Sequence, residues 1–165
     1  MQPTPERALN PFACAISSKR IRPIALCLFR YRGRILVNEA HDAVKNQRFF
    51  RPIGGGIEFG ETGAFAAARE VREELQAHVT NLRFHGTLEN IFTYNGTPGH
   101  EIVLIYDGEF SDRDLYTREF IPGVESNGHP FAARWRRPES FTSDTPLYPH
   151  GLPELLRSLK DEHGS

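Results

Sequence analysis

Between Thr62 and Gln76 the chain places Phe65, Ala68, Val71 and Leu75 at spacings of 3, 3 and 4, one apolar stripe at the helical period. This helix interrupts segments that read as strands. Ile21 to Phe29 and Arg34 to Val37 are apolar or alternating runs separated by Arg32-Gly33, the pattern of a hairpin. Arg48 to Ile53 is a third strand candidate, ended by Gly54-Gly55-Gly56. After the helix, Asn81 to Tyr94 and Glu101 to Phe110 form two longer strands joined by the turn-rich stretch Asn95 to Gly99, an expected antiparallel pair. Residues 111–130 are polar and expected to be an irregular loop, Ala132 to Arg137 is a further strand, and Pro153 to Glu162 a last helix with Leu152, Leu155, Leu156 and Leu159 on one side. Strands and helices in this order, without βαβ repetition, predict an α/β fold in which helices cover a mixed sheet, not a doubly wound parallel one.

At 165 residues the chain makes about one domain. Residues 1–20, with Pro3, Pro5 and Pro11, read as a loose N-terminal arm, and residues 21–163 as the single domain. Twenty Lys and Arg against 21 Asp and Glu leave a net charge of −1. No global positive field exists for a nucleic-acid polymer or an anionic membrane, so any polyanion must be gripped locally. Cys14 and Cys27 form no C-x-x-C pair and read as free thiols. With no apolar run long enough for a signal peptide or a membrane span, the expected location is the cytoplasm.

The chemistry concentrates between Gly54 and Ala77. On a helix, Glu70, Glu73 and Glu74 stand at i, i+3 and i+4 and share one face opposite the apolar stripe. Their repulsion must be screened by solvent, offset by Arg69 and Arg72, or relieved by a hard cation such as Mg²⁺, which takes oxygen ligands. The glycine run just before, followed by Glu61 ahead of the helix, shifts the balance towards the cation. Other phosphate-handling motifs fail on spacing. Gly60 is followed by Glu61-Thr62 and not by the Lys-Ser or Lys-Thr of a P-loop, and the third glycine of a dinucleotide fingerprint counted from Gly54 would fall on Phe59.

Gly55, five residues, Glu61, seven residues, then Arg69-Glu70-Val71-Arg72-Glu73-Glu74 resembles the signature of the Nudix hydrolases, which cleave nucleoside diphosphates linked to another moiety. The match runs from Gly55 to Ala77, with Gln76 where the family usually has Gly, a departure that bears on the helix C-terminus more than on metal ligands. The resemblance implies an α/β/α sandwich with a mixed β-sheet and hydrolysis of a phosphoanhydride. It also implies Glu70 and Glu74 as principal Mg²⁺ ligands (Mn²⁺ as a substitute), with Glu73 sharing the metal or its water and the carbonyl of Gly55 completing the site. Arg69 would orient the carboxylates and Glu61 would brace the loop. The general base is a glutamate of the box or an acid from a distant loop, so Glu73 competes with Glu89, Glu119 and Glu125; Glu73 leads because it requires no assumption about loop folding.

For the substrate, nucleoside triphosphates, dinucleoside polyphosphates and nucleotide sugars all stay open. Tyr94, placed like a tyrosine of dinucleoside polyphosphate hydrolases, is a candidate for stacking on a base, while the proline typical of ADP-ribose hydrolases is absent near Phe92. Arg51 and Arg30 are candidate phosphate contacts or solvated residues. Glu101 is a candidate substrate contact or a paired surface acid, and His41 reads as loop surface. In Arg134-Trp135-Arg136-Arg137 alternation puts Ala133 and Trp135 on one strand face, so Trp135 reads as packing before it reads as a nucleic-acid contact. The expected partner is a small nucleotide, with a homodimer as the family's frequent assembly. The alternatives are a non-catalytic nucleotide-sensing domain of the same fold and an acidic helix without a ligand.

Overall fold

The computed structural model describes residues 19–161; the arm read at residues 1–18, Cys14 and the last domain residues 162 and 163 lie outside the described residues. In chain order the elements are β1 (Ile21–Leu28), β2 (Arg30–Tyr31), β3 (Arg34–Asp42), β4 (Gln47–Arg51), β5 (Ile53–Gly56), α1 (Gly63–Leu75), β6 (Val79–Tyr94), β7 (Thr97–Phe110), β8 (Phe120–Val124), β9 (Pro130–Arg136) and α2 (Leu152–Asp161). Short 3-10 turns occupy Arg113–Tyr116 and Pro138–Ser140.

Strand β1 organises the molecule because both of its faces are buried. Ala25, Cys27 and Phe29 face a core shared with Ala66, Ala67, Val71 and Leu75 of α1. Ile24, Leu26 and Leu28 face the opposite core, with Leu152, Leu156 and Leu159 of α2. A strand sandwiched between two helices must be apolar at every position, which is why this one reads as a continuous run. Each buried leucine of α2 contributes about 1.5–3 kcal/mol. The result is an α/β/α sandwich.

The expected mixed sheet is present, and a second sheet accompanies it. One sheet, ordered β5-β1-β7-β6, is mixed, with β1 parallel to β7 and the other pairs antiparallel. A second, antiparallel sheet runs β2-β3-β9-β8, with β4 also on β3. The anticipated hairpin between Ile21 to Phe29 and Arg34 to Val37 is confined to β2 and β3, since β1 leaves for the other sheet. The run Arg48 to Ile53 likewise divides at Pro52, which has no N–H for a ladder, and the two halves join different sheets. Residues 111–130, expected to be irregular, contain β8, an edge strand whose Pro122 and Gly123 mask its pattern. His41 lies exposed on β3 rather than in a loop. Asn95-Gly96 and Arg32-Gly33 both turn with positive φ, at 48° and 78° and at 49° and 71°, the two-residue hairpin geometry that follows strand twist.

Helix α1 starts at Thr62, whose hydroxyl accepts from the Phe65 N–H at 3.3 Å, and stops at Gln76, which sits in the left-handed region at φ 53° and ψ 34°. Its buried face is Ala66, Ala67, Val71 and Leu75, so the stripe is rotated from the expected one; Phe65 is 63% exposed. Small alanines let the helix approach the sheet closely, and the bulky Phe65 is left outside. A left-handed residue with a Cβ costs about 1 kcal/mol. Gln76→Gly is therefore expected to raise stability by about 0.5–1 kcal/mol, read from the denaturant midpoint; an unchanged or lower midpoint would refute the strain.

Candidate active site

The strand β5, the loop after it and α1 form a unit tied by Arg69. Its Nε and Nη2 donate to the two oxygens of Glu61 at 2.8 and 3.0 Å, and Nη2 also donates to the Gly56 carbonyl at 2.9 Å. Nη1 reaches Glu70 at 2.9 Å and Glu73 at 3.1 Å. Glu61 further accepts from the Glu58 N–H at 3.0 Å. The Arg69 hydrogen bonds, with that N–H, hold the Glu61 carboxyl down at about 2, and Arg69 is raised above its ordinary value chiefly by Glu61. A planar guanidinium that bonds three carboxylates and a carbonyl locks loop to helix in one geometry.

The three helical glutamates have separate environments. Glu73 is half exposed and tied to Arg69, the salt-bridged reading anticipated for the helix. Glu70 does not face away from the core as expected: it is 9% exposed and packs against Gly55, where a Cβ would stand 2.6 Å from its carboxylate carbon. Burial raises its pKa, with Arg69 working against the shift. Glu74 is pushed up to about 9 by burial first, then by Glu125 and Glu70, although Arg51 and the Gly54 N–H favour its charge. Glu125, just beyond β8, is also raised by burial, accepts from the Asn38 amide at 2.8 Å and feels Arg51 and Glu70.

Of the candidate distant acids, Glu125 alone joins this cluster. Glu89 pairs with His100 at 2.9 Å, and Glu119 pairs with Arg134 at 3.6 Å on the surface. Among the described residues no group of three or more His, Cys, Asp or Glu side chains is arranged to hold a metal ion by itself. The chemistry of Glu70, Glu74 and Glu125 nevertheless suits a hard cation: the donors are all oxygen, and burial first and neighbouring carboxylates second raise their pKa values. Gly55 supplies the space in which the Glu70 carboxylate lies against the backbone.

Arg51 links the acids to a cleft enclosing about 680 Å³ with its open mouth. Three of the four sequence candidates for substrate contact, Arg51, Tyr94 and Glu101, line it, beside Phe49 and Tyr148. Glu101 is no surface acid: it is 4% exposed, accepts from the Asn90 amide at 3.3 Å and lies 3.6 Å from Arg22. The Tyr94 hydroxyl donates to the His41 carbonyl at 3.3 Å, and its ring meets Phe49 edge-on. Arg30 is elsewhere, forked onto Asp107. Trp135 stacks on Tyr116 with centroids 5.5 Å apart, as the packing reading required. Asn38 and Asn90, both buried, were not anticipated; a polar residue closing the apolar run Ile35 to Val37 was the available signal for Asn38.

The raised acids have a thermal consequence. Between about pH 5 and about pH 9 the folded protein keeps a proton on Glu74 that the unfolded chain has released, so this group's contribution to stability falls as pH rises through that window. In EDTA, the melting temperature of wild type relative to Glu74→Gln is expected to fall from pH 5 to pH 9. Parallel curves would show that Glu74 is an ordinary carboxylate.

Acids on and beside a helix packed against a glycine strand thus gather next to Arg51 within an α/β/α sandwich. The family model for the NUDIX domain matches residues 19–157. The chain belongs to the Nudix family. It is 27% identical over 128 residues to the NAD-capped RNA hydrolase NudC of Mycobacterium tuberculosis (strain ATCC 25618 / H37Rv), a match covering 73% of this chain and 40% of that protein. The chain thus matches well under half the length of these curated relatives. Its fold is similar to the MutT NUDIX hydrolase from Burkholderia pseudomallei, with TM-score 0.60, 20% identity and coverage of 84% of this chain and 98% of that one. It is also similar to the E. coli ORF135 protein, with TM-score 0.55, 20% identity and coverage of 88% and 95%. No helix among the described residues is long and apolar enough to cross a membrane.

Proposed function

We propose that the chain hydrolyses the phosphoanhydride of a nucleoside diphosphate linked to another moiety, with Mg²⁺ (or Mn²⁺) bound by Glu70 and Glu74 and assisted by Glu73 and the Gly55 carbonyl. The observation that carries this reading is the cluster of buried Glu70 with half-buried Glu74 and Glu125, which Arg51 connects to the cleft. A divalent cation bound there supplies positive charge to the phosphate oxygens and to the attacking water. Arg51 binds phosphate at the junction of cleft and cluster. Tyr94 and Phe49 supply aromatic surface for a base, and Glu101 with Asn90 offers polar contacts on the cleft wall. Arg69 and Glu61 position the acids without touching substrate. As acceptor of the water's proton, Glu125 joins Glu73 as a candidate, because it lies beside Arg51 and Glu70 and burial raises its pKa, making it a stronger base than an exposed carboxylate.

The test is phosphate-product release, with and without millimolar Mg²⁺, from nucleoside triphosphates, dinucleoside polyphosphates, nucleotide sugars and NAD. NAD is included because the curated relatives are named for NAD-capped RNA. Metal-dependent cleavage of one class is expected. No cleavage in the presence of Mg²⁺ or Mn²⁺, with thermal stabilisation by one nucleotide, would overturn the reading in favour of a sensing domain.

A further inference from the structure

The cleft beside the acid cluster contains a row of polar side chains that hydrolysis itself does not require. Arg22 on β1, Glu101 on β7 and Asn90 on β6 are register partners across three adjacent strands, so all three project from one face of the mixed sheet. All three line the cleft. They stand one pleat beyond Ile24, Val103 and Leu88, the apolar row that packs into the core under α2. The sheet face is thus apolar up to this row and ionic at it.

Glu101 is 4% exposed and Asn90 6%. A carboxylate at that depth is unfavourable unless its oxygens find donors. Its partners among the described residues meet that need only in part. Oε2 accepts from the Asn90 amide at 3.3 Å, a long bond, and Oε1 lies 3.6 Å from the Arg22 guanidinium. An ionised carboxylate offers about four lone-pair sites, so both oxygens keep acceptor capacity. Asn90 is held in turn, since its Oδ1 accepts from the His150 N–H at 3.3 Å. Only the amide oxygen can accept that bond, which fixes Nδ2 towards Glu101 and leaves it a second N–H to give. Aromatic side chains surround the row. Phe92 lies against Gly99, two residues before Glu101, where an added Cβ would stand 2.4 Å from its ring. Phe49 and Tyr148, edge to face with centroids 5.6 Å apart, complete the lining.

A planar ligand in the cleft therefore meets two acceptors side by side, the Glu101 oxygens, flanked by donors from Asn90 and Arg22. Among the common bases one edge matches. Guanine offers N1–H and the N2 amine as adjacent donors, with O6 as an acceptor beside them. Adenine and cytosine offer a single amine next to a ring acceptor, and uracil one N–H between two carbonyls, so each would set a lone pair against Glu101. We infer that Glu101, with Asn90 and Arg22, reads a guanine base and makes the cleft specific for guanine nucleotides. The Glu101 oxygens accept from N1–H and the N2 amine, and Asn90 or Arg22 donates to O6. The phosphates then run towards Arg51, which lines the same cleft and adjoins Glu74 and Glu125. This names the substrate class of the proposed hydrolytic site and rests on that reading for the phosphates; the base is read by the cleft itself.

Calorimetric titration of the full chain in EDTA with GMP, IMP, AMP, CMP, UMP and nicotinamide mononucleotide tests base reading without turnover. GMP is expected to bind at least about tenfold more tightly than AMP, CMP, UMP or nicotinamide mononucleotide. IMP, which lacks only the N2 amine, should bind about tenfold more weakly than GMP, the loss of one hydrogen bond to a charged acceptor. Glu101→Gln keeps the size of the side chain but turns one acceptor into a donor, and should bring GMP to within about threefold of AMP. Because that variant also loses its charge beside Arg22, the ratio of IMP to GMP on the wild type supplies a test that needs no substitution. Equal affinity for GMP, IMP and AMP, or no binding of any monophosphate, would overturn the inference. So would tighter binding of AMP or of nicotinamide mononucleotide, or a guanine preference that a folded Glu101→Gln variant retains. A GMP preference without Mg²⁺-dependent cleavage of any guanine nucleotide would support the base reading and count against the hydrolytic one; cleavage without base preference would do the reverse.

Discussion

Glu74→Gln is expected to lower turnover by at least about 100-fold while the protein stays folded. Losing one carboxylate from a divalent-cation site removes several kcal/mol of charge stabilisation, and about 2.7 kcal/mol already equals 100-fold. The fold should tolerate the change because the half-buried Glu74 is pushed up to about 9, which favours its neutral form near neutrality without a cation; the amide resembles that neutral form in shape. The decisive measurement pairs kcat with the melting temperature, with and without Mg²⁺. Wild-type turnover would remove Glu74 from the metal site, and a collapsed melting temperature would mean that its role is structural. In the same assay Glu73→Gln and Glu125→Gln separate the two candidate bases. A loss under tenfold for Glu73 with a large loss for Glu125 assigns the proton to the acid after β8.

The three consecutive glycines are expected to respond quite differently to alanine. At Gly54 the backbone has φ 142°, and a Cβ would stand 2.1 Å from the Ala25 carbonyl of the neighbouring strand. Backbone cannot step aside, so Gly54→Ala should destabilise the protein by about 3–5 kcal/mol, the sum of strain and overpacking. Gly55→Ala meets a side chain instead: the new Cβ would displace the Glu70 carboxylate, costing activity much more than stability. At Gly56 no atom lies within 4 Å of the added Cβ, and the change should stay within about 0.5 kcal/mol. Urea melts together with turnover for all three variants test this order. Equal stability losses would show that the clash distances do not govern the response.

Helix α1 illustrates how much was legible in the chain itself. Its period, its Thr62 cap and its end near Gln76 are local properties, set by side-chain spacing and by backbone groups that need partners. The box residues Glu61, Arg69 and Glu70 are within ten residues of one another, so a helix and a short loop suffice to bring them together. Which helix face is buried was less legible. The stripe through Phe65 has the right period, but fit against β1 favours Ala66 and Ala67, and that preference depends on a surface contributed by another part of the chain. Strand β8 escaped notice because an edge strand containing Pro and Gly has a weak signal, and with it went the placement of Glu125.

Helical period and apolar runs by themselves predicted an α/β fold and placed the acids on α1, and the box from Gly55 to Ala77 carried the resemblance to the family, because each is encoded within a few turns of chain. Tertiary structure decided which distant acid joins them, that Arg51, Tyr94 and Glu101 share one cleft, and that Glu101 is buried rather than exposed. The physical reason is the same in each case: burial and electrostatic coupling depend on distance through space, and strand pairing across two sheets sets that distance independently of separation along the chain.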